Sequence, residues 1–382
     1  MLKFTLLSIS FLTVFGSAAI APALSEIAQA FPNIPSTQIK ALLTAPAFAM
    51  LLLSPNIGRL SHRFGQKPLL LFGLGCYLLG GLGGAFTPDY YSLFACRVVL
   101  GMGIGILMPM ASSLIAENYN GKERLQLMGW ASSATNFFGI VGNLAVGFLA
   151  LYSWRYGMIV YTSALLTVVL VIRNIPADPP RETGKRPQTK LPLQTYLWGL
   201  AMFVFMLGIY AVPVNLALFV VESGLGGPSE SGMAMSCLSV AAILAGLLGS
   251  RARSVCGDYF VIIILSIMTA GYLLLLTTHS LIGLAAALLV IGLGSGSLLP
   301  YIIYCATSSV QGVTPINAMG VIATAASLGQ FATPIILDSI AFMLGDTSTH
   351  FVFQIVATCC GGVIVLMLIR KLFSGSLARK CG

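Results

Sequence analysis

The sequence predicts an all-α integral membrane protein of twelve transmembrane helices, arranged as two pseudo-symmetric six-helix bundles. Three observations lead there. Only 8% of the 382 residues are charged and 57% are hydrophobic, whereas soluble domains carry about 25% charged residues. The apolar residues come in runs close to the 20 or so needed to cross a bilayer. The second half of the chain repeats the first at a fixed offset. A globule this short of charge could not cover its surface, and a chain this apolar is not disordered.

The apolar runs fall at roughly 4–28, 38–58, 68–87, 91–116, 125–150, 155–173, 195–221, 231–249, 259–278, 281–304, 316–342 and 349–371, numbered helix 1 to helix 12 below. They are too long and too continuously apolar for the alternating strands of a membrane barrel, and helices satisfy every backbone group internally. The first run, preceded by Lys3, resembles a signal peptide in its opening residues. It continues to about Ile27, however, and the repeat needs it, so it reads as a retained helix.

The net charge of +9 does not point to nucleic acid. Its basic residues sit in short patches between apolar runs, the pattern by which membrane proteins orient themselves. With the N-terminus inside, 17 of the 20 Lys and Arg fall on one side. Only Lys40 and Arg155 fall opposite, and Arg97 lies within helix 4. Both termini are therefore expected in the cytoplasm, with the chain crossing the cytoplasmic (inner) membrane. Residues 174–194 hold five prolines and much of the basic charge, and proline stops a helix. This segment reads as a cytoplasmic linker between a bundle at 1–173 and a bundle at 195–382, the latter ending in a short cytoplasmic tail. The eight cysteines are scattered, without CxxC or metal-ligand spacing. No cofactor or metal is expected, and a monomer in the lipid bilayer suffices.

Shifting the chain by 191 residues lays Gly101-Met-Gly-Ile-Gly-Ile-Leu-Met-Pro109 on Gly292-Leu-Gly-Ser-Gly-Ser-Leu-Leu-Pro300. Met128-Gly129 falls on Met319-Gly320, and Gly58 on Gly249. Three matches in one register indicate a duplicated unit, and two parallel six-helix halves are the layout of one large transporter class.

At these motifs the chain resembles the major facilitator superfamily, along nearly its whole length. Gly58-Arg-Leu60-Ser-His62-Arg63-Phe-Gly65-Gln66-Lys67, read as the loop after helix 2, is similar to that family's cytoplasmic signature, with His62 where the family has Asp. The resemblance gives Gly58, His62, Arg63 and Gly65 a gating role. Arg97-Val-Val-Leu-Gly101 in helix 4 resembles the family's embedded-arginine motif. Gly139-Ile-Val-Gly142-Asn143-Leu-Ala-Val-Gly147 in helix 5 is similar to the glycine run of its drug-antiporter branches, with Asn143 at the proline position. That run implies a conformational role for Gly139, Gly142, Asn143 and Gly147, and export coupled to protons.

The family places its cavity at the membrane midplane between the halves. Polar and aromatic groups in the corresponding spans are then the candidate substrate contacts: Phe15 and Ser17 in helix 1, Arg97 in helix 4, Asn136 and Phe137 in helix 5, Tyr210 and Asn215 in helix 7, Tyr301 and Tyr304 in helix 10, and Gln330 in helix 11. Polar groups are costly inside a membrane, while aromatic and Met side chains adapt to varied apolar ligands. Proton coupling needs a titratable group inside a span. Asp338 is the first candidate because burial raises a carboxyl pKa, and Glu26 is the second.

This reading is a secondary transporter that moves a small, partly apolar molecule by alternating access, with protons as the counter-ion. An uptake symporter, or an uncoupled facilitator of a small organic anion, fits the same residues. A membrane-embedded enzyme does not, since the sequence contains no H-E-x-x-H, P-loop or G-x-S-x-G pattern. A channel would not require duplicated halves.

Overall fold

The computed structural model describes the backbone of residues 2–176, 191–308 and 315–380; the side chains at positions 17, 58, 59, 62 and 372–380 are among those it does not describe. The expectations placed on Ser17, Gly58 and His62 therefore lie outside the described residues, as does most of the linker. Among the described residues every regular element is helical, and twelve stretches are long and apolar enough to cross a membrane. They are Leu2–Ala30 (helix 1), Ser36–Leu53 (helix 2), Gln66–Phe86 (helix 3), Tyr90–Ile115 (helix 4), Gln126–Ala150 (helix 5), Trp154–Asn174 (helix 6), Leu193–Glu222 (helix 7), Pro228–Gly249 (helix 8), Arg251–Thr277 (helix 9), Leu281–Ser308 (helix 10), Ala318–Met343 (helix 11) and Thr349–Ile369 (helix 12).

Three of these segments depart from the unbroken rods that hydropathy suggests. Helix 1 stops as an α-helix at Ala18, tightens into a 3-10 turn at Ala21–Ala23 and resumes over Leu24–Ala30. Pro22 lacks an N–H and so removes one bond of the ladder at this turn, although helices 2, 4, 7, 10 and 11 continue through Pro46, Pro109, Pro213, Pro300 and Pro334. Helix 6 opens as a 3-10 stretch, Trp154–Thr162, before the α-helix Ser163–Asn174. The signature segment after helix 2 is not a simple loop: Ile57–Phe64 is a short helix. Ile57, Leu60 and Phe64 recur at helical spacing, enough to lay one apolar face down. Gly65 then turns the chain with φ 85°, a conformation that favours glycine, and helix 3 begins at Gln66.

The duplication is visible in packing. In the first half, helix 4 packs on helices 2 and 3, and helix 1 on helix 5. In the second half, helix 10 packs on helices 8 and 9, and helix 7 on helix 11. The same atoms meet at the same offset. A Cβ on Gly80 would strike the backbone of Cys96 and Leu100, and one on Gly271 would strike Ala287 and Ile291. Each of these partners is 191 residues beyond its counterpart. Small residues let backbones approach this closely where lipid supplies no hydrophobic drive.

Helix 4 begins at a capped turn on the face opposite the termini. Asp89 accepts from the Ser92 N–H at 2.9 Å, and these bonds hold its carboxyl below the usual range. Beside it, Arg155 donates to the carbonyls of Ala85 and Thr87 and stacks on Trp154. On the face that holds the termini, Lys3 pairs with Glu123 at 2.5 Å, and Lys67 donates to the Ile172 carbonyl.

Between the halves, helix 2 packs on helix 11 and helix 5 on helix 8. The Leu24–Ala30 end of helix 1 touches helices 7 and 8, and the turn Ser54–Asn56 touches helix 11. Helices 4 and 10 pack mainly within their own halves.

Candidate functional site

Arg97 is fully buried on helix 4. Its Nε donates to the Leu42 carbonyl on helix 2 at 3.1 Å, one Nη to the Tyr161 hydroxyl on helix 6 at 2.5 Å, and the other to the Gly16 carbonyl on helix 1. The Tyr161 ring meets Tyr77 edge-on at 5.4 Å, and the Tyr77 hydroxyl donates to the Leu12 carbonyl at 2.8 Å. The guanidinium fork thus ties helices 1, 2, 4 and 6 into one block. Gly16 is near the end of the first α-helical part of helix 1, where a carbonyl leaves the ladder and can accept from outside it. Among the described residues the ion pairs are Lys3–Glu123 and Lys40–Asp338, so Arg97 is held by oxygen dipoles rather than by a carboxylate.

Helices 1 and 5 contribute an aromatic cluster. Phe11 stacks on Phe138 at 4.4 Å, Phe15 lies 6.0 Å from Phe11, and Phe137 meets Phe138 edge-on at 5.6 Å. Phe15 is buried, whereas Phe137 is 60% exposed, and Asn136 beside it is half-buried. Phe11 completes this group although the sequence reading did not assign it to the substrate site. A single Phe in an apolar helix carries no signal that separates lining from packing.

In the second half, Gln330 on helix 11 reaches the Met206 sulfur on helix 7 at 3.8 Å. Tyr210 is half-buried one turn further along helix 7. Asn215 is buried, its Nδ2 donates back to the Ala211 carbonyl at 2.9 Å, and its Oδ1 has no partner. Tyr301 and Tyr304 are not with these residues. They belong to a second group near the terminal face, where Arg253 stacks over both rings at 4.5 and 5.7 Å and Trp198 and Phe260 pack on Tyr301.

The remaining candidates lie at the seams. Asp338 on helix 11 is paired with Lys40 on helix 2, its two oxygens 2.9 and 3.1 Å from the ammonium, and Thr37 donates to it at 2.7 Å. Lys40 is only 1% exposed. Its charge reads as a loop charge in the sequence because it sits at the start of the apolar run. Glu26 is half-buried on Leu24–Ala30. On helix 5, Gly139 lies against Val14 of helix 1, Gly142 and Asn143 are buried, and Gly147 lies against Pro228, Ser229 and Gly232 of helix 8. Arg63 is exposed, 5.5 Å over the Phe64 ring.

The family model of the Major Facilitator Superfamily matches residues 6–334, and the chain belongs to this family. It is therefore a multi-pass membrane transporter and not an enzyme. The MFS-type transporter YceJ of Bacillus subtilis (strain 168) is 24% identical over 81% of this chain and 80% of its own. Multidrug resistance protein 2 of the same organism is 29% identical over 44% of this chain and 41% of its own. A D-xylose transporter of Levilactobacillus brevis is 29% identical over 35% of this chain and 30% of its own. Among solved structures, a bacterial homolog of the human lysosomal transporter Spinster, in an inward-facing and unoccupied conformation, superposes with a TM-score of 0.75 at 16% identity. It covers 96% of this chain and 94% of its own.

Proposed function

We propose that this transporter exports a small, partly apolar molecule across the cytoplasmic membrane by alternating access, driven by inward proton movement. The observation that carries the reading is where the halves meet. The ion-paired and backbone-tight cross-half contacts at Lys40–Asp338 and Gly147–Gly232 lie near the face opposite the termini. Toward the terminal face the halves meet more thinly, at the Ser54–Asn56 turn against helix 11, and Phe137 is left uncovered. This fits a state closed outside and open to the cytoplasm, with both termini and the 174–194 linker cytoplasmic and residues 1–173 and 195–382 moving as two bodies.

In this reading the substrate meets an adaptable apolar wall, Phe15 and Phe137 with Asn136 on one half, and Tyr210 and Gln330 on the other. Asn215 adds an unused acceptor deeper in helix 7, and Ser17 belongs to the same stretch of helix 1. Tyr301 and Tyr304, with Arg253, lie at the cytoplasmic mouth and meet the substrate on its way in. Arg97 acts as a positioning residue that fixes the helix 1 break through Gly16. Gly58, His62, Arg63 and Gly65 close the cytoplasmic side in the opposite state, and Gly139, Gly142, Asn143 and Gly147 let helix 5 slide. Asp338 is engaged by Lys40, which leaves Glu26 as the carboxylate we assign to the proton. The likeness to Multidrug resistance protein 2 and the helix 5 glycine run support export from the drug-antiporter side of the family.

The test is flux in proteoliposomes with an imposed pH gradient, using a panel of amphipathic fluorescent molecules. Export predicts saturable, gradient-driven movement with counterflow. Movement of a sugar or a nucleoside with the proton, in place of the amphipathic panel, replaces this reading with uptake.

A further inference from the structure

The two seams that join the halves are related by the internal repeat, and they are built from different chemistry. Shifted by 191 residues, Lys40 of helix 2 falls on Ser231 of helix 8, and Gly147 of helix 5 falls on Asp338 of helix 11. The helix 2–helix 11 seam therefore places Lys40 against Asp338 at positions where the helix 5–helix 8 seam places Ser231 and its neighbour Gly232 against Gly147. At the second seam the backbones touch: a Cβ on Gly232 would strike the Asn143 carbonyl, and one on Gly147 would lie 2.8 Å from the Pro228 carbonyl. At the first seam the outer contact is an ion pair, with the ammonium 2% and the carboxylate 13% exposed as side chains, and Phe48 packs on Phe331 further along it.

We propose that Lys40 and Asp338 form a charge latch at the outer face, shut only while neither charge stands unpaired, with Thr37 orienting the carboxylate, while the repeat-related seam closes by close backbone packing and a Ser236 hydroxyl donated to the Ile140 carbonyl, with no charge. The latch rests on the alternating-access reading and adds to it the residues that set the closed state. The physical reason is the asymmetry of a buried pair. Together the two charges are mutually compensated; with either one removed the other is left in a dry seam, a strongly unfavourable arrangement. When the halves part, both charges gain water. Closure therefore disfavours either charge without the other, whereas glycine contacts impose no such condition.

The experiment uses the full chain with its eight cysteines replaced by serine and spin labels at S36C and F342C, exposed positions near the outer ends of helices 2 and 11. Distance distributions are measured in liposomes without substrate. The parent gives one short distance. K40A and D338N each raise the open-to-closed ratio by roughly tenfold or more, as expected for a lone buried charge, and the swap K40D/D338K restores the short distance. K40A/D338A carries no lone charge, so it returns toward the short distance, which separates the effect of an unpaired charge from a single variant that fails to fold. A parent-like short distance in K40A, or a K40A/D338A variant as open as K40A, overturns the latch. Opening in the single variants together with absence of any export flux in the parent retains the latch and removes the export reading; normal export with no opening removes the latch alone.

Discussion

Arg97 brings a full charge into helix 4 with no carboxylate beside it, and it is held by the Gly16 and Leu42 carbonyls and the Tyr161 hydroxyl. Truncation would strand these oxygens in a buried space, at about 1–3 kcal/mol for each unsatisfied group. Arg97→Ala should lower the thermal midpoint and abolish transport together. Arg97→Lys should recover neither fully, because one ammonium cannot span partners on three helices. A variant with wild-type melting and flux would remove the brace. Glu26 is the residue at which the proton assignment is decided. Glu26→Gln should stop gradient-driven flux while leaving counterflow, since exchange needs no net proton movement. Gradient-driven flux that persists in Glu26→Gln would point to a facilitator or to another coupling ion.

At the scale of elements, close helix packing and surface charge carry unequal weight. Gly80 on helix 3 leaves no room against Cys96 and Leu100, and Gly271 leaves none against Ala287 and Ile291. Gly80→Val and Gly271→Val must each separate two helices, and overpacking typically costs about 1–3 kcal/mol. Because the contacts are repeat-equivalent, the two variants should lower the thermal midpoint by similar amounts; a large inequality would mean the halves are packed differently. Lys3–Glu123, by contrast, is half-exposed on both sides, and such pairs contribute about 0–1 kcal/mol. Glu123→Gln should melt within a degree or two of the parent. The helical runs were legible because length and hydropathy alone decide whether a segment can cross a bilayer. The break in helix 1 was not, since a proline inside a membrane helix is compatible with either continuation or interruption. The short helix Ile57–Phe64 was hidden by its charges, although its apolar residues recur at helical spacing.

For the whole molecule, orientation follows from the distribution of Lys and Arg. Cysteines placed in the 177–190 segment should react with a membrane-impermeant reagent only after the cells are opened, and reaction in intact cells would invert the topology. The same experiment on the outer ends of helices 2 and 11 should report reactivity that rises when Lys40 or Asp338 is neutralised.

The sequence by itself determined the membrane class, the number of spans, the duplication and the family motifs. These depend on composition, run length and register, which are properties of the chain read in one dimension. The tertiary structure decided which charged and polar residues share a site. Lys40 and Asp338 stand 298 positions apart, and nothing local marks them as partners. Arg97 draws on carbonyls of helices 1 and 2, which no side-chain pattern encodes. Tyr301 and Tyr304, grouped in sequence reading with Tyr210, instead lie beside Arg253 near the terminal face. In a helical membrane protein the backbone satisfies itself within each span. The meetings between spans are therefore settled by side-chain packing and close backbone approach, and only the assembled bundle reveals them.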